Sequence, residues 1–228
     1  MNDKIKLHHQ YERANTGLQA FFRNIYSYLG TGLILTGSIV YMLIRTGAVL
    51  EINHQLWLLF TFLLLGLSFI IHFFFDTMSV LSAQLCFWCF TILEAVVLAP
   101  FCYIYMHNVL LAFLSTSVIL CSMSILARMT LIDLTKIQNI LYGSIIGLLC
   151  VSILNIIIAS NVLDTMICIG GVLLFTILIM WDHQRLTDMY YHHEIDKEKL
   201  AVFGALQLYS NVINIFFYML RLLSKRDN

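Results

Sequence analysis

The sequence predicts an all-α integral membrane bundle of seven helices, with the last helix central. Three observations predict it. Of the 228 residues, 60% are hydrophobic and only 11% charged, where a soluble domain carries about 25% charged residues. Seven apolar stretches each approach the roughly 20 residues that a helix needs to cross a hydrocarbon core of about 30 Å. There is a single proline, Pro100, so long uninterrupted helices are expected. Mean hydropathy is +0.85 and the pI near 7.1. With no basic field, the chain offers no nucleic-acid interface.

Taken in order, the first 24 residues (MNDKIKLHHQYERANTGLQAFFRN) are polar and lack the charged-then-apolar layout of a cleaved leader. They read as a cytoplasmic tail, 1–24, and the first span then serves as the targeting signal. Spans are expected at Ile25–Ile44, Leu56–Phe75, Ser79–Phe101, Val109–Ala127, Ile140–Ile158, Val162–Trp181 and Ala201–Leu223. Together they make a membrane domain at 25–223, followed by a short basic tail, 224–228. Connectors are short except for a loop at 182–200. Gly30, Gly32 and Gly37, and the pair Gly170–Gly171, are places where small residues let helices approach.

Orientation follows the Lys/Arg bias of the loops. Lys4, Lys6, Arg13 and Arg23 precede the first span. Arg128 and Lys136 follow the fourth, and Arg185, Lys197 and Lys199 follow the sixth. All fall on one side, the cytoplasm, and the opposite loops carry only Arg45. Arg221, Lys225 and Arg226 lie outside if the seventh stretch crosses, and inside if it enters and returns or lies buried within the bundle without fully crossing; these readings stay open.

That seventh stretch carries Gln207, Ser210, Asn211, Asn214 and Tyr218 on one helical face, while Leu206, Val212, Ile213, Phe216 and Met219 lie mostly elsewhere. Lipid offers polar groups no partners, so the stripe must face other helices or water. Ionisable groups at membrane depth are functional candidates by default. Glu94 lies in the third span. An ionised carboxylate in hydrocarbon costs several kcal/mol, so Glu94 is either protonated or faces a cavity. His72 sits near the inner end of the second span, where the alternative is snorkelling to the interface. Asp164 and Asp182 bracket the sixth span. For Asp182 the competing reading is a solvated helix terminus.

Other chemistry is poorly supported. The six cysteines (Cys86, Cys89, Cys102, Cys121, Cys150, Cys168) lie in or beside apolar stretches, as free buried thiols do. The C-x-x-C of Cys86 and Cys89 falls inside a span and reads as helix packing. His8–His9 and His192–His193, the latter followed by Glu194, match no zinc spacing. Asp196, Lys197, Glu198 and Lys199 read as a solvated surface. No nucleotide fingerprint or metalloprotease motif is present, and an enzyme is not expected. No cofactor is expected, and no metal ligand set is assigned; Asp182 is the one weak candidate.

Three blocks resemble the transmembrane Bax-inhibitor-motif family. ARMTLIDLTKIQNILYGSIIGLLCVSILNIII (Ala127–Ile158) resembles its loop and fifth span. GVLLFTILIMWDHQRL (Gly171–Leu186) resembles its sixth span, which ends Tyr-Asp-Thr-Gln-Arg; here the residues are Trp181, Asp182, His183, Gln184 and Arg185. GALQLYSNVINIFFYMLRLL (Gly204–Leu223) is similar to its closing block, and TILEAVVLAP in the third span adds support. The resemblance covers most of the chain.

The resemblance implies a bundle around the seventh helix and a pH-sensitive calcium leak, closed on the cytoplasmic side by two hydrogen-bonded aspartates. The first maps to Asp182. The second maps to Asn211, a departure, because two carboxylates can share a proton whereas asparagine does not titrate. An arginine near the inner end of the family's second helix is missing too; His72 stands in that region. The expected path and latch residues are Asp182, Asn211, Glu94, His72, Asn214 and Gln207, with calcium as cargo. The alternative is a non-conducting regulator that binds a membrane protease or stress-response complex. A proton-coupled transporter is disfavoured by the missing acid. The resemblance further implies a bacterial inner membrane, with the bilayer and a membrane protein as partners and the N-terminus in the cytoplasm.

Overall fold

A computed structural model describes residues 2–129, 133–192 and 194–226, without the side chains of 2–15, 128, 135 and 226. His193 and the side chains of His8 and His9 therefore lie outside the described residues. The helices are α1 (Asn2–Thr46), α2 (His54–Phe74), α3 (Val80–Ile104), α4 (Val109–Met129), α5 (Gln138–Ile158), α6 (Asn161–His192) and α7 (Lys197–Arg226). Short 3-10 turns occupy Ala48–Glu51, Phe75–Thr77, Met106–Asn108 and Leu134–Ile137. Among the described residues there is no strand. All seven α-helices are long and apolar enough to cross a membrane.

Local chemistry sets the helix ends. Asn53 caps α2, its Oδ1 accepting from Leu56 N at 2.9 Å. α5 stops at Ala159, which takes a left-handed φ of 53° and donates its N–H to Asn155 O at 2.8 Å. Asn155 Oδ1 then accepts from Ser160 N, and Ser160 Oγ from Leu163 N, which starts α6. Asp196 caps α7: its Oδ1 accepts from Glu198 N at 2.8 Å and Lys199 N at 3.1 Å. Pro100 lies inside α3, where its missing N–H leaves the Val96 carbonyl without its helical donor. One residue on, Val97 O accepts from Trp57 Nε1 at 3.1 Å.

Several readings are revised. Most of the loop expected at 182–200 is helix, because α6 runs on to His192 and α7 starts at Lys197. Asp182 is thus no solvated terminus: the helix continues ten residues past it, and it is 3% exposed. The segment after Trp181 has no glycine or proline to stop the helix, and Leu186 is fully buried. Likewise α1 joins the polar tail and the first span in one helix. α7 does not fold back. Its 30 residues run unbroken, about 45 Å at 1.5 Å per residue.

α7 is the interior helix. Over its most apolar stretch 78% of residues are buried, against 39% or less in each of the other six. Contacts divide the chain into two units. The first comprises Met1–Met42, Ile52–Val97 and Leu186–Leu206; the second comprises Leu43–Glu51, Leu98–Arg185 and Gln207–Asn228.

In the first unit every residue from Leu200 to Leu206 is buried. A Cβ placed on Gly204 would stand 2.9 Å from both Leu186 methyls and 3.1 Å from Ile25 Cδ1, so the missing side chain is what admits α7 there. In the second unit Leu134, Leu141, Leu174, Leu178 and Trp181 form a core cluster.

Candidate functional site

The site is built on one face of each of the last two helices in the second unit. Gln207, Asn211, Asn214, Tyr218, Arg221 and Lys225 recur at alternating spacings of four and three, one stripe along α7. On α6, Asp164, Gly171, Phe175 and Asp182 lie on one stripe in the same way. The two stripes run antiparallel. Asn211 meets Asp182, the Tyr218 ring lies over Gly171 and stacks on Phe175 at 6.0 Å, and Arg221 and Lys225 meet Asp164.

At one end Asn211 Nδ2 donates to Asp182 Oδ2 at 2.5 Å. Both residues are buried, at 8% and 3% exposure. Neighbouring groups hold this part of α6 in place. Gln184 Oε1 accepts from Leu134 N at 2.9 Å, and the Arg185 guanidinium lies 5.2 Å from the centre of the Trp181 ring. The buried His183 engages Ile179 O through Nδ1 at 2.9 Å, and since a carbonyl only accepts, Nδ1 carries the proton. Gln207 Oε1, one turn before Asn211, and Trp181 Nε1 are buried with no hydrogen-bond partner among the described residues. A carboxylate and an unpartnered amide carbonyl are the oxygen ligands that hard cations take.

At the other end Asp164 is paired with both Arg221 and Lys225. Asn155 Nδ2 also reaches Asp164 Oδ1 at 3.5 Å, and Lys225 Nζ donates to Thr165 Oγ1 at 3.3 Å. This cluster was not anticipated as a unit, although Arg221 and Lys225 extend the polar stripe by its own spacing.

The structure brings Asp182 and Asn211 together. Gln207 and Asn214 share their face, but the Asn214 amide is turned to Ser210 O of its own helix at 2.8 Å. Glu94 and His72 belong to the first unit. Glu94 is half-buried and has no hydrogen bond or ion pair with a described residue. His72 is exposed, its ring edge-on to Phe73 at 5.6 Å. Among the described residues no three His, Cys, Asp or Glu side chains gather to hold a metal.

Asp196, Lys197 and Glu198 are exposed, as a solvated surface would be, while Lys199 is half-buried and the run also makes contacts within the first unit. Lys199 Nζ donates to the carbonyls of Phe75, Asp76 and Met78 at 3.1 to 3.2 Å. Glu198 accepts from Gln84, and Lys197 donates to Tyr190 O.

A family model described as "Inhibitor of apoptosis-promoting Bax1" matches residues 18–228. A protein of Rickettsia prowazekii is 28% identical over 215 residues, covering 92% of this chain and 91% of the relative. The inner membrane protein YbhL of Escherichia coli is 26% identical over 220 residues, covering 92% and 93%. A membrane protein of Streptococcus pyogenes is 26% identical over 238 residues, spanning the full length of both.

Proposed function

Since the chain belongs to the family of inhibitors of apoptosis-promoting Bax1, we propose that it is a passive leak for cations, calcium foremost, controlled where Asn211 holds Asp182. The hydrogen bond between these two buried side chains carries the reading. Asp182 supplies the negative charge that draws a cation to the polar stripe. The Asn211 amide occupies that carboxylate and keeps the stripe closed. A hydrogen bond to a charged group contributes about 1.5–3 kcal/mol, so thermal opening is infrequent and the leak slow.

Asparagine accounts for a second property. A diacid pair shares a proton and responds to pH, whereas an amide donates at any ordinary pH. The latch is therefore less sensitive to pH than an aspartate pair. We place the protein in a bacterial inner membrane with its N-terminus in the cytoplasm, in keeping with the Lys/Arg bias. Seven crossings then put the C-terminus on the far side, where Asp164 offsets one of the two cations it meets.

The test is calcium entry into liposomes containing only this protein, with an indicator trapped inside. Entry that becomes steeply pH-dependent in Asn211→Asp supports the reading. Absence of entry, together with co-purification of a membrane protease, would replace it with the regulator; an Asn211→Asp leak with unchanged pH response would remove the latch.

A further inference from the structure

A cleft of about 410 Å³ lies in the first unit, beside the turn between α6 and α7. The proposed cation path makes no use of it. Among the described residues its walls carry the charged side chains Lys197 and Glu198, with Asn24 and Tyr28 from α1 and the rings of Phe21 and Tyr190. Both charges are held in place. The Lys197 ammonium donates to Tyr190 O at 2.5 Å and sits 4.8 Å above that residue's ring. The Gln84 amide donates to Glu198 Oε1 at 3.0 Å and to Tyr28 Oη at 2.8 Å.

That arrangement leaves specific capacity. Glu198 Oε2, the Tyr28 hydroxyl proton and the Asn24 amide have no partner among the described residues. Phe21 and Tyr190, with centroids 5.1 Å apart, supply an aromatic wall, and Lys197 already sits over its Tyr190 face. A purely anionic ligand would face Glu198 and a purely cationic one Lys197. The complementary ligand carries both an ammonium and a phosphate. The cleft also lies where α1 passes from its polar start into its first apolar span, with Phe21, Phe22 and Ile25 buried and Arg23 and Asn24 exposed. Lipid headgroups occupy that depth.

We propose that this cleft binds the headgroup of an aminophospholipid, a phosphoethanolamine ester, from the leaflet at the α6–α7 turn. Its phosphate meets Lys197, Asn24 and the Tyr28 hydroxyl, and its ammonium meets Glu198 Oε2. The lipid thereby bridges α1 to the first turn of the interior helix. This inference stands whether or not the chain conducts.

The test uses the full chain in detergent, followed by native mass spectrometry and thermal unfolding. The probes are phosphatidylethanolamine, phosphatidylglycerol and soluble phosphoethanolamine. Phosphatidylethanolamine should be retained roughly tenfold better than phosphatidylglycerol, the order expected of one charge-assisted contact. Glu198→Gln should erase that preference, Lys197→Met should weaken both lipids, and Glu198→Lys should favour phosphatidylglycerol. Equal retention of the two lipids by the wild type would overturn the proposal. So would an unchanged preference in Glu198→Gln, or binding of soluble phosphoethanolamine without retention of the lipid. If Lys197→Met fails to fold, Asn24→Leu on the exposed face of α1 carries the same prediction.

Discussion

Asp164 and Asp182 lie on the same face of the same helix, eighteen residues apart, about 27 Å at 1.5 Å per residue. Both meet the polar stripe of α7, yet they are held in different ways. Asp164 is clamped by two cations and an amide, with its side chain 17% exposed. Asp182 is more deeply buried and meets one neutral amide of α7. The first contact neutralises its charge and pins the two helices. The second leaves a carboxyl group without an ion-pair partner on α7, in a place where desolvating a charge is costly. Under the proposed leak, the Asp164 end stays shut and the Asp182 end is the one that yields.

The comparison breaks first at Asp164. Asp164→Asn strands Arg221 and Lys225 without their counter-charge. Breaking a buried pair costs about 3–5 kcal/mol and an exposed one at most about 1. These side chains lie between those limits, and a loss of about 2–3 kcal/mol is expected, read as a lower melting temperature in detergent. Gly171 comes next. It sits between the two acids, and a Cβ there would stand 2.5 Å from the Tyr218 ring. Gly171→Ala should cost about 1–3 kcal/mol by overpacking, and a second change, Tyr218→Leu, should recover most of the loss. Smallest is Asp182→Asn, which removes the carboxyl group without an ion-pair partner on α7 and keeps an amide able to bond Asn211. Its stability should change by less than about 1 kcal/mol, or rise. A loss as large as that in Asp164→Asn would erase the distinction.

Much of the fold was legible in the sequence because its signals are local and redundant. Seven apolar stretches and one proline specify seven long helices wherever the exact ends fall. The polar stripe on α7 followed from spacing alone. The family resemblance, not periodicity, paired position 211 with Asp182.

What stayed hidden depends on distant partners. Charged residues after Trp181 suggested the end of a span, but Asp182 and His183 are buried and the helix continues, because a charge ends a helix only when the backbone also has a reason to stop. Lys199 resembled a surface lysine, yet its partners are carbonyls more than 120 residues earlier. Arg221 and Lys225 carried the right spacing, but nothing near them in sequence names Asp164, 57 residues before Arg221.

Calcium entry into liposomes containing only the protein tests the latch most directly when two variants are compared. Asn211→Ala removes the donor and leaves the Asp182 carboxylate, so entry should rise by about tenfold or more, the equivalent of a charge-assisted hydrogen bond. Asp182→Asn removes the charge that draws the cation, and entry should fall below that of the wild type. Changes in the same direction, or no change in either variant, would contradict the account.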